Sequence, residues 1–153
     1  MSEAAQRGFT LLEMVCVLAI IAMLAAVLLP FMPRQTSRSR LQAYALQTAT
    51  LLKADRNAAI RRGTEVAVLV DAPMRLIRSG TTSDALRIPD DVQFDAVLPQ
   101  TCRQHAVLST INFFANGMSC GGTIALRRLD AGYEIRVNWL TGRVEIADRT
   151  ATN

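Results

Sequence analysis

Gly117-Met118-Ser119-Cys120-Gly121 matches the G-x-S-x-G pattern that presents a serine nucleophile on a strained strand-to-helix turn in many hydrolases. That use needs a helix after the serine and a histidine base later in the chain. The one histidine, His105, comes earlier, and the residues after Gly121 read as a strand. A glycine-rich turn or bulge between two strands explains the same five residues. His105 has no cluster of ligand-type residues beside it, so it offers neither a metal set nor a paired general base. There is no phosphate loop, dinucleotide fingerprint or clustered carboxylate pair. The expectation is no catalytic residue, no metal and no cofactor, with a membrane-anchored serine hydrolase using Ser119 as an alternative. Glu13 has chemical meaning for a different reason: it interrupts an apolar run, where an unpaired charge costs on the order of a few kcal/mol in lipid.

The element around Glu13 is long enough to matter. Residues 11–29 at 1.5 Å per residue span about 28 Å, close to the ~30 Å thickness of bilayer hydrocarbon. Pro30 and Pro33 follow, and a bend is expected there. Beyond them Leu41, Tyr44, Ala45, Thr48, Leu52, Ala59 and Ile60 recur at helical spacing, with Arg38, Gln42, Lys53 and Arg56 mostly on other faces. Arg61 and Arg62 before Gly63 predict the end of this amphipathic helix. After Gly63 the pattern changes to β-like runs at 64–70, 74–78, 92–98, 110–114, 123–129, 133–139 and 143–146. Asp130-Ala131-Gly132 and Thr141-Gly142 look like hairpin connections. Tyr133, Ile135, Val137 and Trp139 alternate with Glu134, Arg136 and Asn138, so the first set is expected inside and the second wet. Segments 79–91 and 99–109 are weakly patterned and expected as loops.

The 153 residues accommodate one membrane helix and one small domain of about 90 residues. The net charge is +4. The arginines are scattered, without the dense patch or aromatic interleaving of a dedicated nucleic-acid binder, so a solvated basic surface is expected and nucleic acid is not an expected partner.

Gly8-Phe9-Thr10-Leu11-Leu12-Glu13 resembles the class III signal of type IV pilins and type II secretion pseudopilins. An ordinary secretory signal, with small residues at 22–26, and a plain signal anchor are the competing readings. Against the first stand a leader with a single basic residue, Arg7, and the interrupting Glu13. Arg34, Arg38 and Arg40 follow the span, opposing the positive-inside rule, so orientation rests on the resemblance. The resemblance implies that a prepilin peptidase cuts between Gly8 and Phe9 and that the new amino terminus of Phe9 is N-methylated. It also implies that Glu13, one turn further on, meets the amino terminus of a neighbouring subunit during assembly.

Residues 110–122 (TINFFANGMSCGG) and 133–144 (YEIRVNWLTGRV) resemble the H-type minor pseudopilins of type II secretion, the GspH/FimT family. The implied fold is α+β and pilin-like: a long amino-terminal transmembrane and amphipathic helix followed by an antiparallel β-sheet or β-sandwich domain. The implied boundaries are a leader at 1–8, a transmembrane part at 9–32, a periplasmic helix at 33–62 and a periplasmic β domain at 63–153. The implied role is structural, in the tip region of a pseudopilus at the inner membrane, with I-, J- and K-type minor pseudopilins, the major G-type pseudopilin and the prepilin peptidase as partners. A minor pilin of a type IV pilus, one used in DNA uptake included, is the nearer alternative. If the domain is periplasmic, Cys102 and Cys120 meet an oxidising compartment, and a disulfide closing a loop worth ~3 kcal/mol is expected. Two free or buried thiols remain the other reading, because sequence does not give the Cα separation.

Overall fold

The computed structural model describes residues 10–28 and 35–149. The chain divides after Gln35 into two compact units. In the first, α1 (Leu11–Leu28) is uniformly apolar apart from Glu13. Thr10 caps it: its hydroxyl accepts the Glu13 N–H at 3.3 Å and its carbonyl accepts the Met14 N–H at 3.2 Å. Among the described residues no helix is long and apolar enough to cross a membrane. Leu29, the last residue of the expected span, and the proline bend at 30–33 lie outside them.

The second unit begins with α2 (Arg38–Arg62), capped by the Ser37 hydroxyl and ended by Gly63 at φ +64, a left-handed turn that glycine adopts without strain. Leu41, Ala45, Thr48, Ala49, Leu52, Ala58 and Ala59 are buried along one stripe. Ile60, expected inside, is 43% exposed. That stripe covers two antiparallel four-stranded sheets. The first is ordered β3-β2-β1-β7, from β1 (Val66–Asp71), β2 (Leu76–Arg78), β3 (Ala85–Arg87) and β7 (Thr110–Phe113). The second is ordered β10-β9-β8-β4, from β4 (Gln93–Val97), β8 (Gly122–Arg128), β9 (Ala131–Val137) and β10 (Val144–Asp148). Val68, Ile77, Ile111, Phe113, Ile124, Leu126 and Ile135 are fully shielded and join both sheets to α2 in one core.

Several expectations need correction. Segment 79–91 contains β3, a three-residue edge strand too short for its alternation to register. Segment 99–109 contains a hairpin, β5 (Thr101–Cys102) and β6 (His105–Ala106), whose Arg103-Gln104 turn has φ of +48 and +68. Such a turn normally advertises itself by Asn-Gly, and this one does not. The β8–β9 turn is Leu129-Asp130, and Gly132 lies within β9, where its carbonyl accepts the Arg149 N–H at 2.8 Å and a Cβ would collide with Arg149. Strand β9 ends at Val137, so Trp139 is 63% exposed, whereas Glu134 on the supposedly wet face is buried.

Candidate functional site

The processing residues Gly8 and Phe9 lie outside the described residues. Glu13 occupies the first turn of α1, exposed to whatever surrounds that helix. Thr10 and Glu13 have capping-box spacing, and a carboxylate in the first turn is favoured by the helix dipole. The local sequence thus holds a charge at the helix start, in an apolar element that has no other ionisable side chain besides Cys16. A cation brought to that turn would be drawn to it.

In the second unit the functional-looking residues gather at the end of α2 that carries Gly63. The Arg56 guanidinium reaches from α2 to two turns at once, donating to the Gly117 carbonyl at 3.1 Å and the Thr141 carbonyl at 2.9 Å. Gly117 (φ +81) and Gly142 (φ +62) adopt left-handed backbone, and a Cβ on Gly142 would overlap the Gly117 carbonyl. The Gly-x-Ser and Thr-Gly-Arg motifs are therefore one packed structure. Beside it Cys102 and Cys120 form a disulfide with Cα atoms 5.7 Å apart, inside the range a bridge requires. It ties the β5–β6 hairpin to the entrance of β8. Arg103, over the Phe114 ring at 4.0 Å, adds a second attachment.

Ser119 is buried, and its hydroxyl accepts the Gly121 N–H at 3.0 Å. The chain then enters strand β8, not the helix a nucleophile elbow needs. His105 is exposed on β6. Among the described residues no cluster of ligand-type side chains could hold a metal.

Sequence reasoning missed three carboxylates. Asp55 faces inward from α2 and accepts from the Ser79 hydroxyl at 2.7 Å, the Gly80 N–H at 2.8 Å and the Thr81 hydroxyl. Asp91 accepts the Thr36 N–H at 2.6 Å, the Thr36 hydroxyl at 2.8 Å and Arg128 Nε at 3.0 Å. The Thr36 backbone bond, then its hydroxyl, holds the Asp91 carboxyl below the usual carboxylate range. Glu134 is likewise lowered, first by its hydrogen bond to Arg136, with Arg149 at 2.8 Å contributing. For Asp55 the available signal was position: it falls three residues after Leu52, on the apolar stripe.

A capped apolar amino-terminal helix and a second helix packed on antiparallel sheets define a pilin-like protein. The prokaryotic N-terminal methylation motif matches residues 4–29. Type II secretion system protein H of Xanthomonas campestris pv. campestris is 32% identical over 139 residues, covering 90% of this chain and 81% of that protein. The chain belongs to the type II secretion system protein H family and is a minor pseudopilin of type II secretion. Two solved structures share its fold. The minor pseudopilin EpsH of Vibrio cholerae superposes with a TM-score of 0.52 at 12% identity, covering 73% of this chain and 98% of that one. The type IV minor pilin FimU of Pseudomonas aeruginosa gives 0.52 at 17% identity, covering 73% and 91%. The motif and family imply a membrane-anchored amino terminus before a periplasmic domain, and association with other pseudopilins in a pseudopilus.

Proposed function

We propose that this chain is a non-enzymatic structural subunit of the pseudopilus tip region, anchored by one pass in the bacterial inner membrane. It contacts the I-, J- and K-type minor pseudopilins and the major G-type pseudopilin. Cleavage between Gly8 and Phe9 by the prepilin peptidase, followed by methylation of Phe9, creates an amino terminus one turn from Glu13. The Glu13 carboxylate, placed in an apolar helix, then guides the subunit into the filament by meeting that positive group on a neighbouring chain. The Cys102–Cys120 bridge forms once the domain is exported. The observation that carries the secretion reading is the 32% identity to protein H across 90% of the chain. Because FimU fits the fold as well as EpsH does, fold alone favours neither secretion nor a type IV pilus.

The test uses Glu13→Val and Gly8→Leu in a strain with a working secretion system. Gly8→Leu is expected to retain the leader, read as the mature mass. Glu13→Val is expected to insert and be cleaved normally, yet crosslink poorly to the major subunit and lower secretion. Wild-type crosslinking and secretion in the Glu13→Val strain would remove the assembly role.

A further inference from the structure

The β9–β10 turn holds two apolar side chains in water: Trp139 is 63% exposed and Leu140 54%. The backbone beneath them is braced on every side. Asn138 Oδ1 accepts the N–H groups of Leu140 at 2.9 Å and Thr141 at 3.0 Å, and the Asn138 carbonyl accepts the Gly142 N–H at 2.8 Å. The Trp139 carbonyl accepts the Ser119 N–H at 3.0 Å, and Arg56 holds the Thr141 carbonyl from α2. Ile60, 43% exposed, reaches the same end through Gly117. On a backbone held this way a tryptophan has only its two side-chain torsions left to order on binding, and such aromatic anchors supply much of the energy at protein interfaces.

We infer that Trp139 and Leu140 form a preorganised anchor for another protein subunit of the assembly, one whose surface offers an apolar recess rimmed by carboxylates. The inference rests on the proposed pseudopilus role and names a contact surface for it. Charge selects the partner. Lys53, Arg56 and Arg143 stand around the hollow beside the turn, and since Arg143 is paired with Glu145 at 3.2 Å, Lys53 and Arg56 give it a net positive charge. A second copy docking by the same face would set cations against cations. Nucleic acid fits less well: a strand is held by successive aromatic platforms along a basic groove, whereas the chain has one tryptophan and the nearby Arg136 is paired with Glu134.

That solitary tryptophan makes the test direct, since the fluorescence difference between the full chain and its Trp139→Phe variant in detergent, each mixed with the same partner, reports Trp139 alone. Purified full-length candidate pseudopilins are added singly, and duplex DNA serves as a separate probe. Binding of one pseudopilin with a blue shift and protection from acrylamide is the expected result. Trp139→Ala and Leu140→Asp should each weaken that binding roughly tenfold while thermal unfolding stays close to wild type. A pseudopilin that binds while Trp139 stays quenchable overturns the inference and leaves the pseudopilus role standing. Failure to bind any pseudopilin counts against both, and a blue shift with DNA alone overturns the choice of partner.

Discussion

Asp55 stands among alanines and leucines on the buried stripe of α2, where a carboxyl group is tolerated because three donors converge on it. Those donors belong to residues 79–81, which precede β3. The side chain therefore fastens a turn that has little apolar material to bury. Removing it takes the acceptor from the buried Ser79 hydroxyl, the half-buried Thr81 hydroxyl and the Gly80 amide together. Asp55→Ala should cost about 1–3 kcal/mol, read by urea unfolding of the full chain in detergent. A loss below about 0.5 kcal/mol, the usual size of a surface change, would show that water replaces the carboxylate. Arg56 poses the opposite case: a cation one residue along the same helix was readable as solvent-facing, yet it satisfies two carbonyls from turns 61 and 85 residues away. Such partners are invisible to any local pattern, because helical periodicity reports which face a residue is on and not what arrives there from the rest of the chain.

At the scale of elements, α2 was the most readable part of the chain. Its stripe repeats over 25 residues and its end is marked by two arginines and a glycine, so period, charge and terminator agree. Strands β7, β8, β9 and β10 were visible for the same reason. The short elements were not: β3 and the β5–β6 hairpin owe their form to neighbours and not to their own residues. The hairpin exposes most of its side chains and buries Cys102, so the disulfide and the Arg103–Phe114 contact are its main anchors. Non-reducing peptide mapping of exported protein should recover Cys102 and Cys120 in one linked pair. Reduction, or Cys102→Ser with Cys120→Ser, should then speed tryptic cleavage after Arg103 several-fold. Equal cleavage with and without the bridge would mean the hairpin is held by other contacts. Gly142→Ala acts on the neighbouring turn and should cost more than 1 kcal/mol, since the added Cβ meets the Gly117 carbonyl in a left-handed backbone. The candidate site splits along the same line: the Glu13 segment could be named from six contiguous residues, whereas the Trp139 anchor depends on β9 stopping two residues earlier than its alternation suggested.

For the whole molecule, the point of greatest mechanical interest is where the chain enters its folded second unit. Thr36 precedes α2 and is gripped there by Asp91, which also receives Arg128 from β8. One carboxylate thereby joins the start of the helix to the second sheet. Its pKa is held below the ordinary range, chiefly by the Thr36 N–H, and Glu134 on β9 is lowered through Arg136 and Arg149. The sign of the linkage follows. With folded-state values below the unfolded value of about 4, the unfolded chain binds more protons on the acid side. The stabilisation from both groups is complete above that pH and is lost as pH falls through their folded values. Acid should accordingly loosen the Thr36 tether as Asp91 takes up a proton. The urea midpoint of the full chain is expected to hold steady from pH 7 to 5 and drop below pH 4. Asp91→Asn should start lower at pH 7 and show a shallower acid drop, because Asn keeps one acceptor and cannot titrate. Identical acid limbs in the two proteins would show that Asp91 does not couple protonation to the attachment of α2.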